Sequence, residues 1–213
     1  MHKKQFSNFQ RFLISHLKKQ PSLLLFVQFF WNRVGKAKGT LESIHEKFIK
    51  DNSETISLDL GCGPKPKNLF NASKFFGIDL NAKGENIYKL RLGVENIPFD
   101  DNSVDYITAY DLIEHIPRYS DYPEVGGSPF IFLMNDIYRV LKKDGVFLSM
   151  TPVYPFLGAF QDPTHNNIMT VQTFQYYFSK EKLPIANHYG IKADFEIKYQ
   201  RMLGQHLVAV LQK

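Results

Sequence analysis

The sequence predicts an α/β fold built on a mostly parallel sheet. Apolar runs with the length of buried strands recur along the chain, at residues 56–60, 75–80, 104–110 and 146–150. A glycine turn, Gly61-Cys62-Gly63, follows the first run directly. The second run ends on an acid, Asp79, about twenty residues further on. A glycine turn at one strand end and a carboxylate at the next favour a nucleotide-like cofactor at the carboxyl edge of the sheet.

The spacing of the glycines separates two kinds of cofactor fold. A dinucleotide fingerprint reads G-x-G-x-x-G, but its third glycine position is occupied here by Pro66. The spacing D-x-G-x-G of residues 59–63 instead resembles motif I of the class I S-adenosylmethionine-dependent methyltransferases. Residues 97–117 resemble the fourth strand and following helix of that family. Residues 133–152 resemble its next helix, glycine turn and fifth strand.

This resemblance runs from residue 56 through most of the remaining chain. It implies a Rossmann-like, seven-stranded, mostly parallel sheet with an antiparallel terminal strand, preceded by amino-terminal helices. It also implies that the chain is an enzyme with S-adenosyl-L-methionine as its cofactor. We therefore expect a helical extension over residues 1–50 and a methyltransferase domain over residues 51–213.

The amino-terminal extension shows helical periodicity. Phe6, Phe9, Leu13 and Leu17 recur at the spacing of one helix face, and Pro21 separates them from a second apolar segment. In the family such helices often lie over the cofactor and acceptor pocket. The extension is accordingly predicted to act as a lid.

The remaining elements follow in order along the chain. Because Pro64 and Pro66 restrict their neighbours, the crossover after the first strand is predicted to be short or irregular. A third strand is predicted over residues 86–92 and a helix over 130–141, with a glycine stop at 142–145. Two strands at 194–200 and 205–212, joined by a turn at 201–204, complete the sheet.

The resemblance assigns cofactor-binding roles to the strand ends. Asp79 lies where the family binds the ribose. Gly93 stands where the family often has an aspartate that contacts adenine, so this contact is expected from Glu95 or Asn96, with the Val94 amide facing a ring nitrogen. The predicted cofactor-binding residues are Asp59, Gly61, Cys62, Gly63, Pro64, Asp79, Leu80, Val94, Glu95, Asn96, Asp111 and Leu112.

Two histidines are candidates for the chemistry. Methyl transfer to an alcohol requires removal of the hydroxyl proton, for which a histidine with an orienting carboxylate is well suited. Asp162 and His165 follow the fifth strand, where the family's acceptor pocket opens, and His115 is the second candidate. The alternative is structural, because D-P-T-H is also a good turn in which Asp162 and Thr164 hydrogen-bond to the backbone.

No metal is predicted, although a divalent ion is the lesser alternative, as the resemblance to some sugar methyltransferases implies. Acidic residues and histidines occur at Asp111, Glu114, His115, Asp162 and His165, but they do not show the tight spacing of metal ligands.

The charge of the chain is uneven. Residues 1–50 hold ten Lys or Arg and two Glu, a net charge of +8, whereas residues 51–213 carry a net charge of −3. The basic, apolar start is expected to pack on the domain or to make weak peripheral contact with an anionic membrane through residues 1–38. The single cysteine and the lack of a signal peptide or a long apolar run indicate a cytoplasmic location, with membrane-peripheral as the alternative.

The leading interpretation is O-methylation of a small or saccharide-like acceptor, such as a precursor of a cell-surface glycan. A nucleic-acid methyltransferase is the enzymatic alternative, motivated by the basic start. It is disfavoured because residues 111–114 do not form an N-P-P-Y-like motif and no second basic face is evident. A non-catalytic, methyltransferase-like binding protein is the remaining alternative, because the glycine loop departs from the family pattern.

Overall fold

The computed structural model describes residues 46–49, 54–81, 83–121 and 127–213. All of them belong to one compact unit, Gly39–Lys213. The predicted amino-terminal helices and their lid role lie outside the described residues, as does the predicted membrane contact through residues 1–38.

Seven strands form a single sheet. They are β1 (Ile56–Leu60), β2 (Lys74–Asp79), β3 (Ile87–Lys89), β4 (Val104–Tyr110), β5 (Leu141–Pro152), β6 (Glu196–Leu203) and β7 (His206–Gln212). The strand order is β3-β2-β1-β4-β5-β7-β6. Neighbours from β3 to β5 pair in parallel, whereas β7 is antiparallel to both β5 and β6. The Rossmann-like sheet with an antiparallel terminal strand is therefore confirmed.

The helices of the described residues are few and mostly short. They are α1 (Pro129–Val140), α2 (Thr173–Tyr177) and α3 (Leu183–Ala186), with 3-10 turns at Glu46–Phe48, Ile113–His115, Leu157–Ala159, Lys180–Lys182 and Asn187–Tyr189. Helix α1 begins at Pro129, and the Ser128 side chain accepts a hydrogen bond from the Ile131 N–H at its start. Within the described part of the chain, none of the helices has the length and apolar character needed to cross a bilayer.

The core covers both faces of the sheet. On one face, Leu58 and Leu60 of β1 pack in a large cluster of buried side chains, most of them aliphatic. On the other, Tyr106 of β4 stacks on Phe70, with 4.4 Å between ring centroids, and packs with apolar side chains of β5 and β7. Because its central strands are buried on both sides, the sheet presents its carboxyl edge as the natural place for a ligand.

Most predicted strands lie where the apolar runs placed them. The bounds of β1 and β4 agree with the prediction to the residue, and residues 61–73 contain no helix or strand, as the two prolines indicated. Strand β3 covers only three of the seven predicted residues, because it forms the exposed edge of the sheet. Residues 142–145, which were predicted to end the helix, lie inside β5. At this point the pairing of β5 with β4 shifts register, and Asp144 takes a φ of +61°.

The helix expected after the fourth strand is wrong. The chain forms only the 3-10 turn Ile113–His115 there, and Ile116 is already extended, with a ψ of 115°. Pro117 gives the physical reason, because a proline disfavours helical geometry in the residue before it. The result is that Glu114 and His115 lie close to the end of β4.

Candidate active site

The glycine turn after β1 is left-handed at both glycines. Gly61 has a φ of +67° and Gly63 a φ of +58°, which side-chain-bearing residues rarely adopt. A Cβ at Gly61 would lie 2.8 Å from Leu112 Cδ1, whereas a Cβ at Gly63 would meet nothing within 4 Å. The turn is therefore closed on the side of β4 and open at Gly63, where a ligand can approach the backbone.

Asp59 supports this turn from inside the protein. Its carboxylate is buried and accepts hydrogen bonds from the Lys67 N–H (2.8 Å) and the Thr108 hydroxyl (2.7 Å). Burial raises the pKa of Asp59, while these two hydrogen bonds oppose that rise. Asp59, predicted to bind cofactor, thus shapes the loop that would bind it.

Asp79 ties the end of β2 to the glycine turn. One carboxylate oxygen accepts the Gly63 N–H (3.0 Å) and the other accepts the Asn81 N–H (2.8 Å). The carboxylate therefore stands beside the glycine turn, at the strand end where the resemblance places the ribose. Leu80, directly beyond, keeps 45% of its surface exposed and offers an apolar contact. With the open space at Gly63, this edge fits the S-adenosylmethionine that the resemblance implies.

The segment expected to contact adenine forms a closed turn. The Val94 N–H donates to the Arg91 carbonyl (3.1 Å), and the Glu95 carboxylate accepts the Arg91 N–H (2.7 Å). The Val94 amide therefore has a partner within the protein, which differs from the expected contact with a ring nitrogen. Asn96 is exposed beside this turn.

Cys62 lies within the glycine turn. Its thiol donates to the Gly63 carbonyl (3.1 Å). Burial raises the pKa of Cys62 to about 11, and the carboxylates of Asp59 and Asp79 act in the same direction. The thiol is therefore protonated at neutral pH. Pro64, which was also predicted to bind the cofactor, is exposed on the loop.

Asp111 follows β4 and pairs with a histidine that the sequence analysis missed. His206 Nε2 lies 3.0 Å from Asp111 Oδ1. This hydrogen bond lowers the pKa of Asp111 and raises the pKa of His206. His206 is the first residue of β7, opposite Pro152 of β5. Only the register of that long-range pairing places it in the site, and a single sequence carries no local signal of the register.

The two predicted histidines come together. The rings of His115 and His165 pack edge to face, with 4.7 Å between centroids. His115 Nδ1 lies 2.9 Å from the Thr164 hydroxyl oxygen, and that hydroxyl donates to Asp162 Oδ1 (2.6 Å). The Thr164 N–H donates to the same carboxylate oxygen (2.8 Å). Asp162 therefore reaches His115 through Thr164, a link that sequence spacing did not reveal.

His165 is placed differently from the expectation that Asp162 orients it. Its Nε2 lies 3.9 Å from Asp162 Oδ2, too far for a hydrogen bond. Its Nδ1 is buried and has no hydrogen-bond partner. Asp162 accepts local backbone and side-chain donors, as the turn interpretation of residues 162–165 expects, and it lies beside the two histidines.

Glu114 is buried next to this pair, and the sequence analysis gave it no role of its own. Only 2% of its surface is exposed, and one carboxylate oxygen accepts the Thr151 hydroxyl (2.8 Å). Its other oxygen, Oε1, is buried without a partner. Burial raises the pKa of Glu114, and the Thr151 hydrogen bond counteracts part of that rise.

These side chains surround one cavity of about 490 Å³. Its titratable lining residues are Asp111, Glu114, His115, Asp162, His165 and His206. A second cavity, of about 550 Å³, is lined by Arg118, Tyr176, Tyr177 and Tyr189 among others and contains none of those six. The first cavity, which we call the histidine pocket, therefore brings the candidate catalytic residues together.

Comparisons with known proteins bear on the family and the fold of the chain. Residues 58–149 match the family described as a methyltransferase domain. No curated protein matches the chain.

Solved structures share the fold at low sequence identity. The YcgJ protein from Bacillus subtilis is 19% identical with a TM-score of 0.52, covering 76% of this chain and 71% of its own. A putative S-adenosylmethionine-dependent methyltransferase from Listeria monocytogenes is 16% identical with a TM-score of 0.51, covering 80% and 96%. The PH0226 protein from Pyrococcus horikoshii is 16% identical with a TM-score of 0.53, covering 81% and 88%.

Proposed function

We propose that this chain, an S-adenosylmethionine-dependent methyltransferase of class I, methylates a hydroxyl group of a small or saccharide-like acceptor. In this proposal a histidine of the histidine pocket accepts the hydroxyl proton. S-Adenosylmethionine, when bound, supplies an electrophilic methyl group on its sulfonium for in-line displacement. The chain must then bind the two reactants side by side, exclude water and take up one proton.

The observation that carries the proposal is the link from Asp162 through Thr164 to His115. The Thr164 hydroxyl has a single hydrogen, which it donates to Asp162, so its oxygen accepts from His115 Nδ1. A neutral His115 then bears its hydrogen on Nδ1, which leaves Nε2 unprotonated. A histidine oriented in this way by a carboxylate is suited to general-base catalysis.

His115 is therefore the preferred base, ahead of His165. His165 lacks a hydrogen-bond partner at Nδ1 and stands beyond hydrogen-bonding distance of Asp162 at Nε2. Its ring instead packs against that of His115. In this proposal His165 limits the movement of the base and forms part of the pocket wall.

Cofactor binding is assigned to the neighbouring strand ends. Asp79 would accept ribose hydroxyls, and the backbone at Gly61 and Gly63 would contact the amino-acid part of the cofactor. Leu80 would pack on the adenine ring of the cofactor. These assignments are supported by the position of the Asp79 carboxylate against the glycine turn and by the open space at Gly63.

The second cavity supports an acceptor with a ring. Tyr176 and Tyr189 each keep more than half of their surface exposed, at 53% and 61%. Exposed aromatic rings offer an apolar contact surface with a polar tip, which suits the face of a sugar. The segments that carry His115 and His165 continue into the wall of this cavity at Arg118 and Thr170.

A survey of acceptors with isotopically labelled cofactor tests the proposal. The full-length protein is incubated with cofactor that carries a deuterated methyl group, together with sugars, nucleotide sugars, phenols, amines and oligonucleotides. Mass spectrometry then identifies any methylated product. We expect label on a hydroxyl group. Label confined to amines or to oligonucleotides would overturn the proposal.

A histidine variant tests the base within the same assay. His115→Asn should lower kcat by about 10²- to 10⁴-fold while cofactor affinity stays near that of the wild type. The matched control is His188→Asn, because His188 is exposed and lies outside both cavities. Equal turnover of wild type and His115→Asn across neutral pH would exclude His115 as the base.

A further inference from the structure

We propose that Glu114, His115 and His165 bind a divalent transition-metal ion in the histidine pocket. Each of the three offers one ligand atom, and these atoms all lie within 4.8 Å of one another. In a tetrahedral zinc site, ligand atoms at about 2.1 Å from the metal lie about 3.4 Å apart. The cluster therefore needs only small side-chain movements to close around an ion.

Two buried atoms without partners give independent support. Glu114 Oε1 and His165 Nδ1 are both buried and form no hydrogen bond within the protein. Leaving a buried polar atom unsatisfied is costly, so two of them in one cluster require an explanation. A cation satisfies the carboxylate oxygen and offers the imidazole nitrogen a bond to its lone pair.

The surroundings of the ligands match those of metal sites. Metal-bound histidines commonly donate their second ring N–H to a carboxylate or a carbonyl, which sets the tautomer and the ring orientation. His115 makes the equivalent contact through Thr164 to Asp162. Glu114 is held in a similar way by the Thr151 hydroxyl (2.8 Å).

The ligand set also indicates which ion would bind. Two imidazoles and one carboxylate suit zinc, iron(II) and manganese(II), whereas magnesium prefers oxygen ligands alone. Three protein ligands leave at least one coordination position open to the pocket. The site is thus of the kind that holds a water molecule or a substrate oxygen.

The role assigned to the ion rests on the proposed function. In the metal-free protein, His115 Nε2 is the base. In the loaded protein that nitrogen is a ligand, and an acceptor hydroxyl in the open position is acidified by the ion. The hydroxyl would then release its proton to the solvent, and its oxygen would stay bound to the ion, so the loaded protein would need no histidine to take up the proton.

Metal binding is tested on the full-length protein without any acceptor. Bound metal is first removed with a chelator and by dialysis, and the protein is then titrated with Zn²⁺ in a calorimeter. Co²⁺ serves as a second probe, because its visible absorption reports tetrahedral coordination. We expect one ion per chain at this site and a rise in Tm on loading.

Two ligand variants locate the ion. Glu114→Gln and His165→Asn should each weaken Zn²⁺ binding by about 100-fold or more and abolish the Tm shift. Two variants are used because Glu114 is buried and Glu114→Gln alone could fail to fold. The matched controls are Glu181→Gln and His188→Asn, which change exposed residues outside the histidine pocket.

The proposal is overturned if the wild type binds no ion stoichiometrically, or if both ligand variants bind Zn²⁺ as the wild type does. If the protein methylates a hydroxyl group but binds no metal, the proposed function is supported and only the metal-site proposal is overturned. Stoichiometric binding that both ligand variants lose supports the metal site even where the acceptor survey finds no methylated hydroxyl.

Discussion

Cys62 offers a probe of the glycine turn at the scale of one residue. With its pKa raised to about 11, the thiolate fraction at pH 8 is about a hundredfold smaller than that of an ordinary cysteine. Because it is the one cysteine of the chain, alkylation by iodoacetamide reports this site alone. We expect the rate in the folded protein to rise about tenfold per pH unit up to pH 10, and bound S-adenosylhomocysteine to slow it. A plateau near pH 9, as in urea-unfolded protein, would contradict the burial of the thiol.

Thr164 is the second residue whose role can be isolated. Thr164→Val keeps the shape of the side chain but removes the acceptor for His115 Nδ1, so we expect turnover to fall about 10- to 100-fold. Thr164→Ser should restore most of it. Nitrogen-15 NMR of the histidines supplies a readout that a purely structural role would not move, because the preference of His115 for the Nδ1–H tautomer should disappear only in Thr164→Val. An unchanged tautomer would show that Thr164 does not orient the base.

At the scale of elements, the pair of Asp111 and His206 links β4 to β7. The raised pKa of His206 means that its contribution to stability is full below its unfolded value of about 6.5 and is lost as pH rises through the folded value. The lowered pKa of Asp111 means that its contribution is present above about 3.9 and is lost as pH falls through the folded value. The pair therefore stabilises the fold most between about pH 4 and 6.5.

Urea unfolding of wild type and His206→Gln tests this link. The wild type should exceed the variant in unfolding free energy by about 0.5 to 1 kcal/mol at pH 5.5, a modest value because both side chains are partly exposed. The difference should shrink towards pH 9. A difference that grows with pH would reverse the assignment, and His188→Gln serves as a control for replacing an exposed histidine.

Arg139 joins α1 to the loop before β4. Its guanidinium donates to Asp136 (2.6 Å), to Asp101 (2.8 Å) and to two backbone carbonyls of the loop, those of Ile97 and Phe99. Asp136 is nearly buried and also accepts the Ile97 N–H (2.6 Å). Removing the arginine thus leaves a buried carboxylate without its cation.

We expect Arg139→Met to lower the unfolding free energy by about 2 kcal/mol. This estimate is below that for a fully buried ion pair because the arginine keeps some exposure to solvent. Arg201→Met, at an exposed position of β6, should change the free energy little. Equal urea midpoints for the two variants would show that the Arg139 contacts contribute nothing to stability.

Local patterns located the central elements well. Strands β1 and β4 are buried apolar runs bounded by turn residues, which is the pattern that a sequence signals most strongly. The helix expected after β4 does not form, because Pro117 disfavours helical geometry in Ile116. The expectation rested on the resemblance to the family, which does not include this effect. Strand β3 is shorter than predicted. It lies at the edge of the sheet, so its length is set by how many of its residues pair with β2 and not by its own apolar residues.

The candidate site also contains two kinds of residue, those that local sequence patterns predict and those that only the fold brings together. Gly61, Gly63 and Asp79 could be predicted as cofactor-facing residues because strand ends carry ligand-facing residues at fixed places along the chain, and the structure brings Gly63 and Asp79 together. The pairing of His206 with Asp111, and the convergence of Glu114, His115 and His165, depend on which distant segments meet. The sequence does not show the tight spacing of metal ligands, yet in the folded protein the ligand atoms of Glu114, His115 and His165 lie within 4.8 Å of one another.

At the scale of the whole molecule, the sheet brings the proposed cofactor-binding edge and the histidine pocket to neighbouring strand ends. Strands β1 and β2 supply the glycine turn and Asp79, while the chain beyond β4 and β5 supplies the histidines. Asp111 and Leu112 stand between them, since Leu112 packs against Gly61 and Asp111 lines the pocket. This arrangement allows donor and acceptor to be bound side by side.

Calorimetric titration of the full-length protein with S-adenosylmethionine tests this arrangement most directly. Asp79→Ala removes the carboxylate that is proposed to accept the ribose hydroxyls, together with one partner of the glycine turn, and Asp100→Ala is the control at the opposite end of β4. We predict that the wild type and the control bind one cofactor per chain, and that Asp79→Ala binds about 10- to 100-fold more weakly while remaining folded. Absence of binding by the wild type, or unchanged affinity in Asp79→Ala, would contradict the account.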